Sequence, residues 1–100
     1  MYKLLYDDGV IKISRLDVDK YHVSIWNDFC DLPREVFEKW AQGNSDKISS
    51  GLTLLNAPFL KTLKKKNISL EYFGWVIAKV RISELEEGLG HILNHDHVGL

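Results

Sequence analysis

The first third of the chain alternates apolar and polar residues with the two-residue period of β-strands. Two such runs, residues 2–6 and 10–14, flank the dipeptide Asp8-Gly9, which favours a tight hairpin turn because both turn positions take positive φ. A third run follows at residues 20–27, after a short polar turn. This pattern predicts a three-stranded antiparallel meander.

The period then changes to that of α-helices. Residues 32–42 repeat apolar positions every three to four residues, and Asp31 is placed to cap the first turn. A second helix is predicted at residues 57–66, behind the potential cap Asn56. The segment between them, residues 44–51, is polar and rich in serine and glycine, which predicts a loop.

Residues 68–82 fit either a strand or a helix. As a strand, they place apolar residues on both faces; as a helix, several of the same residues form one stripe. Their aromatic and β-branched content favours a long, two-sided strand that bends at Gly74. The following Ser83-Glu84-Leu85-Glu86 matches a capping box and predicts a last helix.

The elements together predict an α+β fold with the order β-β-β-α-α-β-α. In this fold, three N-terminal strands and the fourth long strand form an antiparallel β-meander, with two to three helices packed mainly on one face. A chain of 100 residues is the size of one domain, so we expect residues 1–100 to form a single α+β domain.

The composition is typical of a globular protein, with 45% hydrophobic and 27% charged residues. Cys30 is the only cysteine, so no intrachain disulfide can form, and we interpret its thiol as buried and inert. The sequence has neither a signal-peptide pattern nor an apolar run near the roughly 20 residues that span a bilayer. We therefore expect a cytoplasmic protein without membrane contact.

No catalytic motif is present: the chain lacks G-x-S-x-G, a P-loop and G-x-G-x-x-G. His91 and His95, four residues apart, and His97 are candidate metal ligands because the first two share one side of a helix. The missing H-E-x-x-H motif and the lack of a closed ligand set favour a plain helix end instead. The sequence thus predicts a non-enzymatic protein without a cofactor.

One dense basic run suggests nucleic-acid binding as an alternative function. It would use four lysines of the second helix together with an arginine, namely Lys61, Lys64, Lys65, Lys66 and Arg81. No RNA-recognition, KH or helix-turn-helix pattern accompanies this run. The solvated outer side of a helix explains these lysines more simply.

The two halves of the chain differ in charge, although the formal net charge is only -1. Residues 1–46 carry 6 cations and 9 anions, whereas residues 47–100 carry 7 and 5. In a meander, the first turn and the end of the third strand share one edge, so acidic residues should meet aromatic ones there. The predicted partner-binding residues are Asp7, Asp8, Trp26, Asp28, Phe29 and Asp31.

These features favour a protein-binding protein. The make-up resembles that of small bacterial immunity proteins and phage-encoded inhibitors, although no motif assigns the chain to such a family. The leading hypothesis is an inhibitor that neutralises a toxin or nuclease by occluding its basic active-site cleft. The alternatives are a nucleic-acid-binding module, a metal-binding protein and a homodimer formed through an exposed strand edge.

Overall fold

The computed structural model describes the backbone of residues 3–42 and 44–99, and the side chains of those up to residue 87. Four strands come first and four helices follow, so the fold is α+β. The strands are β1 (Lys3–Asp7), β2 (Ile11–Asp17), β3 (Lys20–Ile25) and β4 (Asp28–Pro33). The helices are α1 (Arg34–Trp40), α2 (Ser45–Leu55), α3 (Ala57–Lys65) and α4 (Leu70–Gly99).

The strands form one antiparallel sheet in the order β1-β2-β3-β4, so the meander predicted for the first three is confirmed. The fourth strand is β4, and its last two residues, Leu32 and Pro33, fall within the range predicted for the first helix. Cys30 and Leu32 point into the core, whereas Phe29 and Asp31 face outward. Asp31 is therefore a strand residue and not the cap of α1, which begins after Pro33 without a side-chain cap.

The four helices lie on one face of this sheet and enclose a single core. Tyr21 of β3 stacks on Phe37 of α1 with ring centroids 3.9 Å apart. Phe73 of α4 contacts the rings of both Trp40 and Phe59. Fully buried side chains from every helix and from β2, β3 and β4 complete this cluster. The core thus joins all the helices to one side of the sheet.

The segment predicted as a long strand at residues 68–82 is helical, and this prediction was wrong. Phe73, Val76, Ile77 and Val80 are spaced as one helical stripe and are all buried in the core. Burial of this stripe outweighs the strand preference of the β-branched and aromatic side chains. Ser83-Glu84-Leu85-Glu86 consequently lies inside α4 and does not cap a new helix.

The loop predicted at residues 44–51 is also helical, because it forms most of α2. The side chain of Asn44 caps this helix by accepting a hydrogen bond from the backbone N–H of Lys47 at 3.2 Å. Ile48 and Leu52, four residues apart, are both fully buried. A cap and two buried side chains on one face therefore offset the weak helix preference of serine and glycine. The predicted cap Asn56 of α3 is confirmed, since it accepts from the N–H of Phe59 at 3.1 Å.

Two helical glycines give a matched test of this packing. A Cβ at Gly51 would lie 2.6 Å from Cζ2 of the buried Trp40 ring, whereas one at Gly74 would meet only the terminal methyl of Ile48 at 2.9 Å. We expect Gly51→Ala to lower the free energy of unfolding by about 1–2 kcal/mol. Gly74→Ala should be near neutral, since about 1 kcal/mol of helix propensity offsets the contact. Urea denaturation of both variants checks this, and equal effects would contradict it.

Candidate protein-interaction site

Two turns of the meander meet at one end of the sheet. Ile11, which follows the β1–β2 turn, pairs with Ile25, and Ile25 pairs with Asp28 across the β3–β4 turn. We call this region the hairpin end; it comprises residues 7–10 and 26–28. It brings together four of the six predicted partner-binding residues, namely Asp7, Asp8, Trp26 and Asp28.

Trp26 is the most exposed large hydrophobic side chain of the hairpin end. It is the first of two loop residues between β3 and β4, and its φ is 55°. Two-residue hairpin loops need positive φ at this position and normally place glycine, asparagine or aspartate there. The indole is 66% exposed, and the Nζ of Lys66 lies 5.0 Å from its ring centroid. The chain thus places a bulky side chain in solvent, at a backbone conformation that bulky residues rarely adopt.

The carboxylate of Asp8 accepts four hydrogen bonds from groups within the protein. Its Oδ1 accepts the backbone N–H groups of Val10 at 2.9 Å and Ile11 at 2.7 Å. Its Oδ2 accepts the hydroxyls of Tyr6 at 2.9 Å and Tyr72 at 2.7 Å. A carboxylate has about four acceptor sites, so Asp8 has none left for a partner's donors. It fastens the β1–β2 turn to α4.

These hydrogen bonds also fix the charge of Asp8. Partial burial raises its pKa, but the bonds from the N–H of Ile11, the Tyr72 hydroxyl and the N–H of Val10 outweigh it and lower the pKa from 3.8 to about 2. The carboxylate therefore stays ionised at every pH above this value.

The shift makes the stability contributed by Asp8 depend on acidity. Because the folded pKa lies below the unfolded one, the contribution is complete above about pH 4 and is lost as pH falls toward 2. We expect Asp8→Asn to be less stable than the native chain at pH 7 and to approach it near pH 2. Urea denaturation from pH 2 to 7 measures the difference. A difference that stays constant over this range would contradict the assignment.

The other two carboxylates of the hairpin end differ in how far they are engaged. Asp7 accepts the N–H of Gly9 at 3.0 Å and has a long, exposed ion pair with Lys12 at 3.9 Å. Asp28 accepts a hydrogen bond from the hydroxyl of Thr62 on α3. This bond seats the lysine-bearing helix α3 beside the acidic turn. The end of the sheet that the sequence predicted to be acidic is therefore of mixed charge.

Phe29 and Asp31 lie away from the hairpin end, on the face of the sheet opposite the helices. Nδ1 of His22 is 2.5 Å from Oδ1 of Asp31, and the His22 ring is tilted against Phe29 with centroids 5.1 Å apart. Phe29 is half exposed. The six predicted residues thus lie on two neighbouring surfaces of the sheet, the hairpin end and the face opposite the helices. Trp26 leans toward Lys66 and Phe29 toward His22.

The face of the sheet opposite the helices, which we call the open face, carries a serine, a histidine and an aspartate in a row. These are the residue types of a catalytic triad. Ser14, His22 and Asp31 are paired in register across β2, β3 and β4. Ser14 is completely buried, however, so its hydroxyl is not presented to a substrate. Cys30 points to the other side of the sheet, where burial raises the pKa of its thiol. Neither side chain is therefore placed as a nucleophile.

The predicted basic surface is divided. Lys61, Lys64, Lys65 and Lys66 are exposed along α3 and the residue after it. Arg81 lies instead on α4, where its Nη2 is 3.2 Å from Oε1 of Glu38 on α1. The contact between Lys66 and Trp26 was not anticipated from the sequence, because it joins residues forty positions apart.

Neither a metal centre nor a membrane segment is found in the part of the chain that the structure describes. The candidate ligands His91, His95 and His97 fall outside the residues with described side chains. Among side chains that are described, no group of three or more His, Cys, Asp or Glu residues could hold a metal ion. Nor is any described helix long and apolar enough to cross a membrane.

The site built by these residues is a surface and not a cleft. It combines the exposed indole of Trp26, the lysine beside that ring and the carboxylates of the two turns. A shallow hollow of about 450 Å³ lies beside it, lined in part by Asp8, Lys66 and Tyr72. Comparisons of the chain with protein-family models, with curated proteins and with solved structures found no match.

Proposed function

We propose that the chain is a non-enzymatic protein-binding protein that uses the hairpin end as its contact surface. The observation that carries the proposal is Trp26, which combines a strained positive φ with an indole that is mostly in solvent. Both features are unfavourable in the free protein, and strain of this kind concentrates at functional sites. Tryptophan is also among the residue types that dominate binding energy at protein interfaces.

The carboxylates of the hairpin end support a basic partner, although Lys66 lies beside the Trp26 ring. Asp7, Asp8 and Asp28 lie at the two turns of this end, and the low pKa of Asp8 keeps its charge in place. We propose in finer terms an inhibitor of the immunity type, which works in the cytoplasm and occludes the basic active-site cleft of a toxin or nuclease. In this arrangement the carboxylates steer the encounter and Trp26 supplies the buried anchor. Phe29 and Asp31 extend the contact along the open face.

The test begins with capture of the partner from the native cell, using the full chain as bait. The captured protein should lose its activity at a one-to-one ratio with the chain. Asp7→Lys should slow its association about tenfold at low salt, with less effect at high salt, because screening removes steering. Glu35→Lys is the matched control, since it makes the same charge change at the opposite end of the sheet. An association rate that changes neither with salt concentration nor on Asp7→Lys would overturn the steering role.

The contact between Lys66 and Trp26 favours nucleic-acid binding as a second candidate. An exposed ring beside a row of lysines is the arrangement on which single-stranded bases stack. Titration with single-stranded RNA at about 50 mM salt should then quench the tryptophan fluorescence, and Lys64→Glu should weaken the effect. No quenching at this salt concentration would exclude this candidate.

A further inference from the structure

Helix α4 has two apolar faces, of which only one packs on the core. Phe73, Val76 and Val80 are buried against the sheet and the other helices. The opposite face exposes Trp75 and Ile82 by about half, at 53% and 54%. A helix that is apolar on both sides is usually covered on both sides. None of the residues that the structure describes covers this second face.

The spacing on the outer face is that of a helix-pairing seam. Its apolar positions follow one another at intervals of three and four residues, namely Trp75, Ala78, Ile82 and Leu85. Trp75, Ala78 and Ile82 border a shallow groove of about 380 Å³ together with Lys79, Ser83 and Glu86. The two charged residues flank the seam on the same side, one heptad apart. In helix pairs, such flanking positions decide partner and orientation.

We infer that the outer face of α4 binds the same face of a second copy in an antiparallel homodimer. When two copies pack antiparallel about a two-fold axis near residue 83, Lys79 of one copy lies opposite Glu86 of the other. The symmetry repeats this ion pair, so both charges on each copy are matched. A parallel pair would need Arg81 for its flanking contact, but Arg81 is engaged by Glu38. The charges therefore select a second copy in the antiparallel orientation.

The same arrangement places apolar groups in the centre. Ile82 of one copy meets Leu85 of the other on either side of the axis. Lys79 already lies over the Trp75 ring, with its Nζ 5.0 Å from the centroid, so its stem covers apolar surface while its amine stays at the rim. This dimer uses the outer face of α4 and does not depend on the function proposed for the hairpin end. It also differs from the alternative of a homodimer formed through an exposed strand edge.

A charge-reversal cycle tests the orientation. Sedimentation equilibrium of the full chain at low salt should give a dimer. Lys79→Glu and Glu86→Lys should each raise the dissociation constant by about tenfold, because each sets like charges opposite one another twice. The double variant Lys79→Glu/Glu86→Lys should return it to within about threefold of the native value. Failure of the double variant to recover, with each single variant still folded by circular dichroism, would overturn the antiparallel arrangement.

Two further measurements test whether the outer face of α4 forms the dimer interface. Ile82→Asp should give a monomer, whereas Leu54→Asp on α2, at a site that is 88% exposed, should remain a dimer. Zero-length carbodiimide coupling of mixed light and heavy nitrogen-labelled chains should join Lys79 of one copy to Glu86 of the other. A native chain that stays monomeric at about 100 µM, or a dimer that Ile82→Asp leaves intact, would overturn the proposal.

Discussion

Replacing Glu84 with alanine is expected to lower the free energy of unfolding by about 2–3 kcal/mol, which is the cost of leaving charged hydrogen-bond partners unmatched in a largely buried site. The Glu84 side chain is only 13% exposed. Its Oε1 accepts the hydroxyl of Tyr21 at 2.7 Å, and its Oε2 lies 2.8 Å from Nη1 of Arg15. Alanine removes both acceptors and leaves the Arg15 guanidinium and the Tyr21 hydroxyl without them. The connection between α4 and the central strands is lost with them.

Urea denaturation measures this loss, and Glu87→Ala is the matched control. Glu87 also connects α4 to the sheet, but its ion pair with Lys3 is 3.6 Å long and its side chain is 70% exposed. An exposed pair of this kind contributes at most about 1 kcal/mol. Similar losses in the two variants would contradict the role assigned to Glu84.

The titration of Tyr21 gives an independent readout of the same network. Burial, together with the hydrogen bond to Glu84, raises the pKa of Tyr21 from 10 to about 12. Because the folded pKa lies above the unfolded one, the stabilisation is complete below about pH 10 and is lost as pH rises toward 12. In Glu84→Gln, the Tyr21 pKa should move back toward 10, as followed by the phenolate absorbance. An unchanged Tyr21 titration would show that Glu84 does not hold the hydroxyl.

The first three strands could be predicted from the sequence because their signals are local. Asp8-Gly9 lies between two alternating runs, and each signal is complete within a few residues. The helix at residues 45–55 and the first part of α4, residues 70–82, could not be predicted this way, because their stability comes from burial against other elements. Ile48 in a serine-rich segment and Phe73 in a β-branched one are helical because they reach the same core.

The sequence pattern of residues 68–82 correctly indicated two apolar faces, although it favoured the wrong element. The alternating pattern predicts apolar residues on both faces of the element, and α4 has two apolar faces, although it is a helix. Periodicity alone does not separate a two-sided strand from a helix with two apolar stripes. The fourth strand of the sheet is β4 and not residues 68–82. These residues instead contact the core as a helix, through one apolar stripe. The second face is the one that we assign to a partner copy.

The candidate site was predictable in its position but not in its contacts. The meander topology places Asp8 and Asp28 at one end of the sheet, as expected from the order of the strands. Their partners are Tyr72 and Thr62, which lie 64 and 34 residues away in sequence. No local pattern links such distant residues. The hydrogen bond between Thr62 and Asp28 also holds α3 beside this end of the sheet. The lysines of α3 offset part of the negative charge there.

Trp26→Gly is expected to separate stability from binding. Relief of a positive φ in a bulky residue gains about 1–2 kcal/mol. Glycine gives back roughly 0.7 kcal/mol through its greater freedom in the unfolded chain, and loss of the Lys66 contact costs roughly 0.5 kcal/mol more. The free energy of unfolding should therefore stay level or rise by up to about 1 kcal/mol. Most substitutions of ordered residues lower it instead.

Binding of the captured partner should change in the opposite direction. If Trp26 is the buried anchor of the interface, its loss should weaken affinity by about 2–4 kcal/mol, or at least thirtyfold. Titration calorimetry with the purified partner and urea denaturation of the free variant measure the two effects on the same protein. Trp26→Asn serves as the control, because asparagine accepts positive φ without the freedom of glycine and should show the same loss of binding. A variant that loses stability yet binds normally would mean that Trp26 serves the fold, and the proposed contact surface would then be wrong.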